Sequence, residues 1–122
     1  MADLLALVQR HWRLLTLLLG VLIALLSLWP LERLPQVPGS DKSHHLIAYA
    51  ALAFPLGLAR PRHWPLLAAL MLGWGGLIEL LQPWANRYGE WLDLAANGAG
   101  LVAGLLLARL CGRVWSLKPL RP

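Results

Sequence analysis

The chain has 122 residues, 58% of them hydrophobic and only 14% charged, with a mean hydropathy of +0.58. Soluble domains carry about 45–50% apolar and about 25% charged residues, so the composition excludes an ordinary soluble domain and points to a membrane protein. A net charge of +5 suggests nucleic acid in a soluble protein, but these arginines flank hydrophobic runs, where they act as topology signals and anionic-lipid contacts, and no nucleic-acid partner is expected.

Length allows one domain. A hydrocarbon core of about 30 Å needs about 20 helical residues per crossing, so four short spans use most of the chain. The first predicted span is Leu14 to Trp29, ended by Pro30, which cannot continue a helix. Arg10 and Arg13 before it resemble the start of a signal peptide, but Ser27-Leu28-Trp29-Pro30 offers no small-x-small cleavage pattern, so an uncleaved first helix is expected. Leu31 to Ser40 holds Pro35, Pro38 and Gly39 and reads as a loop outside the membrane. The second span is expected over about 41–58, with Ser40 or Asp41 as N-cap and Pro55 as a site of bending. Arg60-Pro61-Arg62-His63 reads as a tight turn. The third span covers 64–81 and stops at Pro83, and the fourth covers about 93–110.

Positive residues near the span ends set the orientation. Arg10, Arg13, Arg60, Arg62, Arg109, Arg113, Lys118 and Arg121 fall on one side, and Arg33, Lys42 and Arg87 on the other. Eight against three places both termini in the cytoplasm. Tryptophans agree: Trp12, Trp64 and Trp115 mark the cytoplasmic ends and Trp29, Trp84 and Trp91 the outer ends, leaving only Trp74 in mid-span. Ala96, Gly100, Gly104 and Ala108 recur every fourth residue and predict a close helix contact, with Gly73 and Gly76 as a weaker equivalent on the third span. Cys111 is the only cysteine, so neither an intrachain disulfide nor a cysteine metal site is expected.

Five of the six acidic residues then lie on segments at the outer face. Asp41, His45 and Tyr49 are successive i, i+4 neighbours beside Lys42; Glu79 and Gln82 are i, i+3; Asp93 and Asn97 are i, i+4. Three spans thus present polar groups at one depth. A charge inside a span costs at least about 2.5–3.5 kcal/mol on insertion scales, so Glu79 and Asn97 are expected to face the bundle and find partners, with Lys42, Arg87 and the histidines as candidates. The N-termini of spans two and four, together with Lys42 and Arg87, suit an anion such as a lipid phosphate, although the neighbouring acids oppose one. His44 reads as an interfacial histidine turned to water. His45, Glu79 and Asp93 have acceptable metal-ligand chemistry but no tight motif, and neither a metal nor another cofactor is expected.

The series Asp41-Lys42-x-x-His45-x-x-x-Tyr49, Glu79-x-x-Gln82, Arg87 and Asp93-x-x-x-Asn97-x-x-Gly100-x-x-x-Gly104 resembles the VanZ-like family of small bacterial membrane proteins, over about residues 41–108. The resemblance implies an all-α bundle of four transmembrane helices in the bacterial cytoplasmic membrane. It also implies a link to the cell envelope and to low-level resistance to the glycopeptide teicoplanin. Asp41, Lys42, His45, Tyr49, Glu79, Gln82, Arg87, Asp93, Asn97 and Gly100 match its pattern; His44 and Glu90 stand outside it.

Three functions remain open. The cluster engages an anionic lipid or a lipid-linked cell-wall component at the outer leaflet. Alternatively, it is an intramembrane enzyme acting on a lipid phosphate or ester, with Glu79 or Asp93 as general acid or base and His45 as proton shuttle. Or its polar groups lock the helices, and the protein serves in assembly, as a homo-oligomer or with another membrane protein.

Overall fold

In a computed structural model the described residues are 1–29, 40–85 and 90–120. The predicted loop Leu31 to Ser40 with its Arg33, apart from Ser40 itself, lies outside them, as do Pro30, Arg87 and Arg121. The described chain is all-helical: α1 (Ala2–Arg10), α2 (Trp12–Leu28), α3 (Asp41–Ala59), α4 (Trp64–Leu81) and α5 (Trp91–Val114). A 3-10 turn, Gln82–Ala85, extends α4.

Each boundary has a local cause. Ser40 caps α3, its side chain accepting from the Ser43 N–H as N-cap serines do. α3 runs unbroken through Pro55 and ends where Arg60 takes a left-handed conformation at φ 46°. Pro65 occupies the first turn of α4, where a missing N–H costs no helical bond. Helix α1 was not foreseen from the sequence. It is bent by 76° from α2 and packs Leu5 and Gln9 against the bundle while Leu4 and Leu7 stay exposed.

α3 is the centre of the bundle. Tyr49, Leu52, Ala53, Leu56, Leu58 and Ala59 are all buried, although α3 is less apolar than α4. Its main partner is α5, and the two run parallel. Leu46 meets Gly100, Ala50 meets Gly104, and Gly57 meets Ala108. A Cβ on Gly100 or Gly104 would fall on the carbonyl oxygen of Leu46 or Ala50, so only glycine permits this backbone approach. The predicted stripe on span four therefore faces α3. The stripe expected on span three does not hold: a Cβ on Gly73 meets nothing within 4 Å, and one on Gly76 only Leu94 at 3.9 Å. Gly75 is the packed glycine, since a Cβ there would stand 2.8 Å from Asn97 Nδ2 and 2.9 Å from the Tyr49 hydroxyl.

The outer surfaces of α2, α4 and α5 are apolar, with Leu17, Leu25, Leu70, Leu80, Leu106 and Leu110 among the exposed side chains. α4 with its 3-10 turn, Trp64–Trp84, and α5 are each long and apolar enough to cross a membrane, and α1 with α2 gives a third candidate if that bent pair counts as one span. Helices apolar on outward faces belong in lipid, so the chain is a membrane protein with two to three candidate spans. α3 does not reach that hydropathy, because Asp41, Lys42, Ser43, His44 and His45 fill its first turns. The mid-span tryptophan has a partner: Trp74 Nε1 donates to Gly20 O, 3.1 Å away on α2.

Candidate functional site

The starts of α3 and α5 and the end of α4 meet at one end of the bundle, and His45 stands at their centre. Its side chain is 11% exposed, and its Nδ1 lies 2.9 Å from Asn97 Oδ1 on α5. Carboxylates from all three helices approach the ring: Asp41 Oδ2 and Asp93 Oδ2 each 3.8 Å from Nε2, and Glu79 Oε1 3.9 Å from Nδ1. These separations are ion-pair range, too long for hydrogen bonds.

A second strand of the network runs through Lys42. Its Nζ donates to Glu90 Oε2 at 2.9 Å and stands 3.6 Å from Asp93 Oδ1. The Glu90 backbone N–H in turn donates to Glu79 Oε2 at 3.1 Å, so Glu79 holds the entry to α5 from across the interface. Glu90 is therefore part of the cluster. The sequence places it on the outer-face segment but outside the family pattern, and as the N-cap of α5 it stands at i, i+3 and i, i+7 from Asp93 and Asn97.

Asp41 occupies the first position of α3, and Asp93 the third of α5. Carboxylates there complement the positive ends of the helix dipoles. The anion site expected at these two N-termini thus already has its negative charge from the chain itself. Lys42, expected to hold an external anion, is committed to Glu90 and Asp93. Among the described residues the cluster holds four carboxylates (Asp41, Glu79, Glu90, Asp93) and one ammonium (Lys42), an acidic balance. Glu79, expected to pair with a base, is met by a backbone N–H and by His45.

The predicted residues divide. Asp41, Lys42, His45, Glu79, Asp93 and Asn97 converge. Tyr49 continues their face one turn deeper, its side chain buried and its hydroxyl without a hydrogen-bond partner among the described residues. Gln82 does not join them: it is buried toward α2, where its Nε2 donates to Ser27 O at 3.3 Å. His44 is partly buried rather than turned fully to water. Arg87 lies outside the described residues. Ser40 and Ser43 are engaged in capping, Ser43 Oγ donating to Ser40 O at 2.7 Å, so neither stands as a nucleophile beside His45.

Among the described residues, Glu79 Oε1, Gln82 Oε1 and Asp93 Oδ1 at this end are buried and meet no hydrogen-bond partner. Such atoms are rare in native proteins and concentrate at functional sites. Beside the cluster, a groove of about 530 Å³ opens between α4 and α5. Gly73, Gly76, Leu77, Leu80 and Leu94 form its apolar wall, and Glu79 and Glu90 close its polar end. The two glycines that do not pack are the ones that hollow it.

Comparison with protein-family models, curated proteins and solved structures gave no match to this chain.

Proposed function

We propose that this chain is a four-span protein of the bacterial cytoplasmic membrane, with both termini in the cytoplasm, that holds an amphiphilic, lipid-linked envelope component at its outer face. The tail lies along the groove between α4 and α5 and the head meets the polar rim. The carrying observation is the groove itself, which is apolar along Gly73, Gly76, Leu77 and Leu80 and ends on Glu79 and Glu90. Ligand sites of this kind combine apolar walls with a few convergent polar groups. The apolar cleft between α2 and α4, lined by Trp12, Thr16, Met71 and Trp74, includes none of the rim residues.

Four spans follow if α3 crosses with its neighbours. Its 19 residues extend about 28 Å at 1.5 Å each, near the thickness of the hydrocarbon core, and most of its apolar surface, Leu46 and Ile47 apart, is buried by the other helices. The charge bias of the span ends supports the orientation. Membership of the VanZ-like family, with its envelope and glycopeptide-resistance connection, belongs to the same proposal and rests on the sequence order of Asp41, Lys42, His45, Tyr49, Glu79, Gln82, Arg87, Asp93, Asn97 and Gly100. The acidic balance of the rim among the described residues favours a head with hydroxyl or amine donors over a bare phosphate.

Gly73→Leu is the decisive variant. Its side chain enters the groove, and the backbone around it has room. In native mass spectrometry of protein extracted from bacterial membranes, Gly73→Leu should lose lipid that wild type retains, with an unchanged melting midpoint. Equal lipid retention by the two proteins would remove the groove as a ligand site. In a cysteine-free background, a membrane-impermeant thiol reagent should label Asp41→Cys and not Arg62→Cys on intact cells. The reverse pattern inverts the topology.

A further inference from the structure

The environment of His45 carries a consequence that the lipid groove does not use. Nδ1 lies 2.9 Å from the amide oxygen of Asn97. That oxygen only accepts, so Nδ1 bears a proton and donates it. In the neutral ring the lone pair of Nε2 is then turned toward Asp41 Oδ2 and Asp93 Oδ2, both at 3.8 Å. Three electron-rich atoms facing one another call for positive charge between them. Lys42 does not supply it at that point, because it stands on the opposite oxygen of Asp93 and bonds Glu90. Asp93 itself has a side chain only 2% exposed, and among the described residues its other oxygen, Oδ1, is met only by Lys42 at ion-pair distance.

We propose that Asp41, His45 and Asp93 form a binding site for a divalent transition-metal ion of the zinc type, with Asn97 fixing the orientation of the imidazole. One ligand atom from each residue lies within 4.8 Å of the others. Bonds of about 2.0–2.1 Å in tetrahedral geometry separate neighbouring donors by about 3.3 Å. The observed 3.8 Å pairs therefore close by about half an ångström on binding. Asp41 and His45 share a face of α3 at i, i+4, and Asp93 comes from the first turn of α5, so the ion ties together the helix pair at the centre of the bundle. The Asp41 side chain is 61% exposed and gives the ion a path from solvent. A metal-binding histidine characteristically donates its other N–H to an oxygen acceptor, the role Asn97 plays. One imidazole and two carboxylates suit zinc better than magnesium, which prefers oxygen ligands and keeps its water. Three protein ligands leave a coordination position for water or for a ligand head at the rim, but the site stands on these residues whether or not the groove holds lipid.

The test uses the full chain in detergent, stripped with chelator and titrated with zinc chloride by calorimetry, with bound metal measured after desalting. One zinc per chain is expected, and no comparable binding of magnesium. Asp41→Asn changes an exposed side chain and leaves the bundle intact, so its effect cannot be ascribed to misfolding; it should weaken zinc binding at least about tenfold. Asn97→Ala should weaken it about 10–100-fold, as removal of an orienting partner does. Lys42→Ala should still bind zinc. Absence of saturable zinc binding in wild type, or binding unchanged in Asp41→Asn and Asp93→Asn, overturns the proposal. So does a nitrogen-15 spectrum of the zinc-titrated protein in which both ring nitrogens of His45 stay protonated, since a proton then supplies the positive charge.

Discussion

At the end of the bundle where α3 stops, its last carbonyls are met by neutral groups. Gln9 of α1 donates from Nε2 to Leu58 O at 2.8 Å and to Lys118 O at 2.7 Å, and the Leu120 N–H donates to Ala59 O at 2.7 Å. Helix ends leave such carbonyls without intrahelical partners, and here one glutamine and one backbone amide cap them from segments far apart in sequence. At the other end, where α3 begins, four carboxylates gather on a histidine and a lysine at ion-pair distances, and buried acceptors meet no partner among the described residues. One end meets the Leu58 and Ala59 carbonyls from within the chain. The other retains acceptor capacity and adjoins a groove. The contrast separates what holds the fold from what is available for a ligand.

The comparison can be broken at its shared support first. Gly104→Val forces a side chain onto the Ala50 carbonyl, and overpacking of this kind costs about 3 kcal/mol when backbone must move. Chemical denaturation in detergent should show the loss, and both ends of the bundle should fail together. Next comes the neutral end alone. Gln9→Ala leaves the Leu58 carbonyl buried and unpaired, a loss of roughly 2 kcal/mol, read in the same denaturation experiment, with zinc and lipid binding at the rim unchanged. A smaller change of opposite sign is expected at the rim. With chelator present, Asp93→Asn removes one of several crowded carboxylates and should stabilise the protein by about 1 kcal/mol, as relaxing a functional site often does. Destabilisation there equal to that of Gln9→Ala would make the rim a structural lock and favour the assembly role. The smallest effect is Lys42→Ala. Its pair with Glu90 is about half exposed on both sides, and exposed pairs contribute little, so the melting midpoint should stay at that of wild type.

How much of this was legible in the sequence follows from what periodicity can carry. The i, i+4 sets Asp41–His45 and Asp93–Asn97 share faces as their spacing requires, and the Gly100–Gly104 stripe meets another helix. Spacing fixes which residues share a face, but it does not say which neighbour that face meets. Gln82, in register with Glu79, turns to Ser27 on α2 for that reason. Gly75 packs while Gly73 and Gly76 line a groove, a distinction that depends on where Tyr49 and Asn97 stand. Glu90, on the outer-face segment but outside the family pattern, joins the cluster through Lys42 and through its own backbone N–H. Helix α1 and the Gln9 contact were invisible: nine residues without a side-chain cap give a weak local signal, and the carbonyls that Gln9 meets lie 49 and 109 positions away. The low hydropathy of α3 is itself informative, since most of its apolar side chains face helices and its polar start serves the rim.

The convergence of three helices on His45 is open to one direct measurement. In nitrogen-15 histidine spectra of the full chain in detergent, with the His45 signals assigned by their loss in His45→Gln, Asp93→Asn, Glu79→Gln and Asn97→Ala should each displace those signals, and Gln9→Ala should leave them in place. Signals of His45 indifferent to the Asp93 and Glu79 substitutions would contradict a site assembled from α3, α4 and α5.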